Sequence, residues 1–290
     1  KFLSPLRHAI PPLPNAFFTR DAVMSANQSV IIGSMAFKAR YAEALLLKAI
    51  FKYHRNIRSD GFYFDGTSSS SEKITIEGGD LLVLREDLIM IGYSERTTAR
   101  GIDTLMRAIT SKGGVQNFIV VEIPKSRATI HLDMIFTMAD REACVVFSPL
   151  ITGMHKCRAF HVHFEQQQVK RIIEYPGVLE ALRTQGLNLR PIACGGNNEL
   201  RQEREQWSSG ANFFALAPGH IIGFEHNQAT AEELAKNGFE IVSADQVTSG
   251  ERTLDTERPT LVTMQGAELS RGGGGCRCMT MPLNRKPVDW

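Results

Sequence analysis

Along the chain, short runs of consecutive apolar residues alternate with stretches in which apolar residues return every three or four positions, as buried strands interleaved with amphipathic helices do. Val30-Ile31-Ile32 is such a run, and after Gly33-Ser34 a helical pattern passes through Ala39, Ala42, Leu45, Leu46, Ala49 and Ile50. Residues 56–72, with Gly61, Gly66 and the tract Ser68 to Ser71, read as an exposed linking loop. Beyond it, residues 81–84 and 88–91 predict two strands, 97–110 a helix and 118–123 another strand. The order strand, strand, helix, strand recurs less distinctly from Thr129 through Val146 to a helix at 178–183. It returns once more through 213–216, 221–224, 230–237 and 240–242. A unit repeated every few tens of residues without identity between copies predicts an α/β fold of similar modules around a shared centre, in one domain spanning residues 1–290.

Composition narrows the class. With 43% hydrophobic and 22% charged residues in 290, the chain can bury a sizeable core and is neither a disordered tail nor a fibre. Its 33 basic and 31 acidic residues are interspersed, so no basic block marks a nucleic-acid partner, and a small molecule is the expected one. No apolar run approaches the roughly 20 residues that cross a bilayer, and the opening residues lack a signal peptide's apolar stretch; a soluble, cytoplasmic protein without a membrane partner is expected. Five scattered cysteines, Cys144, Cys157, Cys194, Cys276 and Cys278, do not form a disulfide framework. A homo-oligomer is compatible with all of this.

Several segments carry groups capable of chemistry. If Thr129 to Ile135 is a strand, His131 and Asp133 share one face and an acid/base group stands beside a carboxylate, although a solvated strand face has the same pattern. Glu77-Gly78-Gly79-Asp80 reads as a tight turn between strands at Ile74 and Leu81, either an ordinary hairpin turn or one that aims Glu77 into a pocket. Phe18-Thr19-Arg20-Asp21, preceded by Pro12-Leu13-Pro14-Asn15, adds a carboxylate on a stiffened segment. Ser270-Arg271-Gly272-Gly273-Gly274-Gly275-Cys276-Arg277-Cys278 reads as a mobile glycine gate over a thiol, or as a flexible tail that contains cysteines. The Cys276/Cys278 pair lacks a second pair at zinc spacing, and His161 and His163 on one strand face are more simply satisfied or solvated than metal-bound, so no metal is expected. Cys144, Cys157 and Cys194 read as small apolar fillers.

Taken in order, these segments resemble the arginine deiminases, of the guanidine-modifying superfamily with the pentein, or α/β-propeller, fold. The resemblance runs through Pro12-Leu13-Pro14-Asn15, Phe18-Thr19-Arg20-Asp21, Arg40, Glu77-Gly78-Gly79-Asp80, Ser94-Glu95-Arg96-Thr97, His131-Leu132-Asp133, Glu205-Gln206-Trp207, Ala217-Pro218-Gly219 and Arg277-Cys278-Met279-Thr280. It implies hydrolysis of free L-arginine to citrulline and ammonia, with no cofactor. Cys278 would be the nucleophile, His131 and Glu77 the proton-handling residues, and Asp21 and Asp133 the guanidinium ligands. Arg40 and Arg96 would take the substrate carboxylate, with Asn15 and Phe18 lining the pocket. A guanidinium is a planar cation with five N–H donors, matched by facing carboxylates. Its resonance-stabilised carbon calls for a strong nucleophile such as a thiolate.

Two departures accompany the resemblance. Gly273 stands where the family's glycine-rich loop carries a second arginine, and the family's leading segment, with part of the propeller and a helical bundle, is absent from this sequence, which predicts a propeller incomplete at its N-terminal end. The alternatives are enzymes acting on agmatine, methylated or peptidyl arginine, an amidinotransferase, or an inactive pentein that only binds. Arg40 and Arg96 favour a substrate with a free carboxylate.

Overall fold

The computed structural model describes residues 13–14, 16–68, 74–255 and 257–289. Asn15, and most of the serine tract that read as a linker, lie outside the described residues. The first elements are a short helix α1 (Thr19–Ala22), strands β1 (Val23–Ala26) and β2 (Ser29–Ile32), helix α2 (Tyr41–Tyr53) and strand β3 (Phe62–Asp65). Strand β3 lies within the stretch expected to be loop. Its Phe62 and Phe64 pair in parallel with Val30 and Ile31 of β2, so a four-residue strand too short to show a period is held by its neighbour.

Next come β4 (Leu81–Arg85), β5 (Leu88–Tyr93), α3 (Ala99–Ser111) and β6 (Asn117–Glu122), close to the boundaries expected from the sequence. Helix α3 begins where the Thr98 side chain accepts the Gly101 amide, which satisfies one of the donors a helix start leaves free. Its apolar stripe, Ile102, Leu105, Met106 and Ile109, packs on Leu81, Ile89, Ile91 and Phe118 of the sheet. The alternate residues Leu82, Leu84, Met90, Ile119 and Val121 face a second core on the other side. A sheet buried on both faces needs continuous apolar strands, which is why these segments read as unbroken runs.

The third stretch comprises β7 (Phe136–Asp140), β8 (Ala143–Val146), α4 (Ser148–Ile151), a hairpin of β9 (Ala159–Glu165) and β10 (Gln168–Tyr175), α5 (Val178–Thr184) and β11 (Arg190–Ala193). The hairpin leaves its own stretch and joins the preceding sheet, β9 pairing antiparallel with β6. The last stretch comprises α6 (Glu199–Trp207), β12 (Phe214–Ala217), β13 (His220–Phe224), α7 (Gln228–Lys236), β14 (Glu240–Ser243), α8 (Ala244–Thr248) and β15 (Thr260–Met264).

The resulting four mixed sheets run β1-β2-β3, β10-β9-β6-β5-β4, β11-β8-β7 and β12-β13-β15-β14. Each contains an antiparallel hairpin and at least one parallel pair: β2 with β3, β5 with β6, β8 with β11, and β15 with both β13 and β14. Among the described residues the strand, strand, helix, strand repeat is therefore present four times, the last copy with an added strand. This arrangement is compatible with a propeller. No helix among the described residues is long and apolar enough to cross a membrane.

Candidate active site

The residues singled out from the sequence converge on short turns between these sheets. Thr129 to Ile135 is not a strand. His131 sits at the start of a 3-10 turn, Leu132–Met134, and Asp133 lies within it. The reason is long-range: the Leu132 amide, which a strand would give to a neighbour, donates instead to the Asp80 carboxylate at 2.9 Å. Glu77-Gly78-Gly79-Asp80 likewise contains a 3-10 turn, Gly78–Asp80, rather than a hairpin between two full strands, since Ile76 makes only an isolated bridge to Ser34. A Cβ on Gly78 would collide with the Arg20 carbonyl and one on Gly79 with the His131 imidazole, so both glycines allow the turns to meet.

His131, Glu77, Asp21, Asp133 and Cys278 are all buried, none more than 4% exposed. His131 Nε2 is 2.9 Å from Glu77 Oε2, and its Nδ1 is 3.7 Å from Asp21 Oδ1. Cys278 Sγ lies 3.6 Å from Asp133 Oδ2. Asp21 and Asp133 are each held at one oxygen by an arginine of the chain: Arg40 Nη1 donates to Asp21 Oδ2 at 2.6 Å, and Arg277 Nη1 to Asp133 Oδ2 at 2.7 Å. Their other oxygens, Asp21 Oδ1 and Asp133 Oδ1, are buried and accept no hydrogen bond from the described residues. Buried acceptors without donors are costly, about 1–3 kcal/mol each, and a site for a many-donor cation is the arrangement in which that cost is relieved.

The expected carboxylate clamp is only partly free. Arg40 also donates to Glu43 and to the Phe18 carbonyl, so most of its N–H groups serve the protein itself. Burial opposes its charge, but Glu43 and Asp21 outweigh burial and keep it ionised. Arg96 stacks over the Phe37 ring at 4.4 Å and reaches Glu77 Oε2 at 3.4 Å, while its buried Nε has no acceptor among the described residues. Phe18 is buried under the glycine run. Gly272 and Gly274 lie against its ring too closely for a Cβ, Gly275 lies as closely on Asn212, and Gly273 has a φ of +85°. The glycines are thus explained by close approach and one left-handed turn, and the run is a packed strap leading to the thiol.

Electrostatics assign protonation states. Burial alone would lower the His131 pKa, but Asp21, the hydrogen bond to Glu77 and Asp80 outweigh it and raise it to about 10. Burial, then Asp133 and Asp21, push the Cys278 thiol well above its ordinary range. Burial raises Asp80 to about 7 against the opposing pull of His131, Ser94 and the Leu132 amide. These directions leave His131 protonated and the Cys278 thiol neutral in the resting site. Asp21, Glu77 and His131 also offer atoms within 4.8 Å of one another, a spacing that could hold a metal ion, but Arg40 and Arg96 already accompany the two carboxylates.

These shifts carry a stability consequence. Asp80 and His131 both bind protons more tightly folded than unfolded, so their stabilising contributions are complete below the ordinary values of 3.8 and 6.5. The contributions are lost as pH rises through about 7 for Asp80 and about 10 for His131. The urea midpoint is expected to fall steadily from near neutrality to about pH 10, and His131→Gln to remove much of the fall above pH 7. A profile flat over that range would contradict the charge assignment.

Four supporting residues carried no assigned role from the sequence. Asp80 ties the two turns together, accepting from Leu132 and, at 2.6 Å, from Ser94. Gln206 donates to the Ala128 and Met134 carbonyls on either side of the His131 turn, while its neighbour Glu205 caps α7 by accepting the Ala229 and Thr230 amides. Asn212 contacts both Asp133 and Cys278. The Glu205-Gln206-Trp207 motif was visible, but its partners are 24 to 78 residues away.

A family model described as arginine deiminase matches residues 3–285. The chain is 34% identical over 284 residues to an arginine deiminase of Streptococcus gordonii, which covers 97% of this chain and 63% of that protein. It therefore spans less than two thirds of that relative's length. Among solved structures, a complex of an AgrE mutant with L-arginine superposes with a TM-score of 0.61 at 15% identity, over 96% of this chain and 32% of that one. The N-terminal domain of ArgZ, an arginine dihydrolase from the ornithine-ammonia cycle in cyanobacteria, bound to product, gives 0.59 at 18% identity, over 94% and 76%. Likeness at this level establishes a shared fold, the pentein type expected from the sequence.

Proposed function

The chain belongs to the arginine deiminase family, and from that premise we propose that residues 1–290 form a catalytic domain that hydrolyses free L-arginine to L-citrulline and ammonia. The observation that carries this reading is the pair of buried oxygens, Asp21 Oδ1 and Asp133 Oδ1, that accept no hydrogen bond from the described residues, in a site that also holds His131 and the Cys278 sulfur. A planar guanidinium satisfies both oxygens while presenting its carbon to Cys278. Its positive charge also offsets the two carboxylates that keep the thiol protonated, so substrate entry itself favours the thiolate.

As the substrate enters, the Cys278 proton passes to solvent, since His131 is already protonated, and attack by the thiolate on the guanidinium carbon forms a tetrahedral adduct. His131, held as the imidazolium by Asp21 and Glu77, then gives its proton to the departing ammonia. The C–N bond breaks and an amidino-thioether remains on Cys278. The imidazole, now neutral, takes a proton from water as water adds to that carbon. The C–S bond breaks, citrulline leaves and the sulfur is released. One water is consumed and one ammonia produced. Glu77 orients the ring and offsets its charge throughout. Arg96, with its unpaired Nε, is the better placed of the two arginines for the substrate carboxylate, whereas Arg40 mainly fixes Asp21.

The test is citrulline and ammonia release from L-arginine, agmatine and an internal-arginine peptide in parallel. Turnover of arginine with at least about tenfold lower kcat/KM on the other two is expected, since each lacks the free carboxylate that Arg96 would bind. Equal turnover of agmatine would remove that assignment, and no turnover of any would point to a binding protein.

A further inference from the structure

Asn212 lies in the loop between α6 and β12, is 1% exposed, and makes contacts that the mechanism above does not use. Its Oδ1 accepts the backbone amides of Arg277 at 3.0 Å and Cys278 at 3.2 Å. Two N–H donors on one side settle which end of the amide is oxygen, so Nδ2 faces the other way. There it donates to the Asp133 carbonyl at 3.1 Å and to Cys278 Sγ at 3.3 Å, which uses both of its hydrogens. The close approach is built in: a Cβ on Gly275 would come within 2.6 Å of Asn212 Oδ1, so the glycine strap closes onto this side chain.

We propose that Asn212 is the positioning residue of the nucleophile, its amide donating to the Cys278 sulfur to stabilise the thiolate while its oxygen sets the backbone that aims the sulfur. The proposal rests on the reading of Cys278 as the nucleophile. The charged groups acting on the sulfur include Asp133 and Asp21, which oppose the thiolate, and Arg277 and Arg20, which favour it. Arg277 is engaged elsewhere, its guanidinium donating to Asp133 Oδ2 and to the Leu81 and Gly78 carbonyls. Asn212 is therefore a neutral donor placed where the surrounding field disfavours the anion, and hydrogen bonds to charged groups are the stronger kind. The same amide joins the Asp133 turn to the Cys278 loop, so the guanidinium ligand and the attacking atom are held relative to each other.

The experiment measures the rate of Cys278 alkylation by iodoacetamide between about pH 6 and pH 10, located by mass spectrometry, in the 290-residue chain and in Asn212→Asp and Asn212→Ala. Asn212→Asp keeps an acceptor for the two backbone amides and loses the donor; Asn212→Ala loses both without adding charge. In both, the limb on which the alkylation rate climbs with pH is expected to move up by about one pH unit, so that the rate at any pH on it falls about tenfold, with kcat for arginine lowered more than KM is raised. No shift in either variant, or a shift in only one of them, overturns the proposal, because charge alone or backbone placement alone would then suffice. Alkylation needs no substrate. Slowed alkylation in both variants without citrulline from any protein would therefore retain the role of Asn212 and reject the arginine reading.

Discussion

Cys278→Ser is expected to lower citrulline release by on the order of 10⁴-fold or more while leaving the thermal melt unchanged. The serine oxygen would occupy nearly the place of a sulfur that lies 3.3 Å from Asn212 Nδ2 and 3.6 Å from Asp133 Oδ2, so the packing of the strap has no reason to change. Its ionisation does. Burial and two carboxylates already oppose the thiolate, and a hydroxyl, intrinsically far less acidic, stays protonated in the same field even with a guanidinium bound. The purified variant assayed beside the parent chain, with melting followed by circular dichroism, decides the matter. Residual activity within tenfold of the parent would mean that another group attacks the substrate.

Asp133→Asn has the second-largest expected effect, and it strikes stability as well as activity. Arg277 Nη1 donates to Asp133 Oδ2 at 2.7 Å, and the side chains are 10% and 0% exposed. The remaining Arg277 contacts, to the Leu81 and Gly78 carbonyls, are neutral acceptors. Removing the carboxylate leaves a buried guanidinium without a counter-charge, a change that costs about 3–5 kcal/mol where it has been isolated. The variant should lose that much in urea denaturation, and kcat/KM for arginine should fall on the order of 10³-fold because one of the two guanidinium ligands is gone. Partial recovery of stability, but not of activity, is expected when Arg277→Gln is added, since that restores charge balance and not the ligand. A loss below about 1 kcal/mol would show that water or a rearranged side chain compensates the cation.

The glycine strap illustrates how sequence and structure divide the explanation. Four consecutive glycines beside a Cys-x-Cys signal that the backbone must do something a side chain would prevent. Only the folded chain shows what that is: Gly272 and Gly274 lie on Phe18, Gly275 on Asn212, and Gly273 turns left-handed. Arg40 shows the converse. Its position within the family motif marked it for the substrate carboxylate, while in the folded chain it holds Asp21, 19 residues earlier, and Glu43 in the first turn of α2, just after it.

What the sequence by itself determined is the set of continuous elements and the residues proposed to react. Strands β4, β5 and β6 and helix α3 are legible because each buries one or two faces over several residues, and burial imposes a period of two or of about three and a half on the residues concerned. Cys278, His131, Glu77, Asp21 and Asp133 are legible as an ordered motif. The tertiary structure alone decided how those groups meet. They sit on turns of three or four residues, too short to have a period, whose shapes are set by hydrogen bonds such as Asp80 to Leu132, 52 residues apart, and Asn212 to Cys278, 66 apart. Such partners leave no local trace, because a buried asparagine or aspartate looks the same in sequence whatever distant backbone it satisfies.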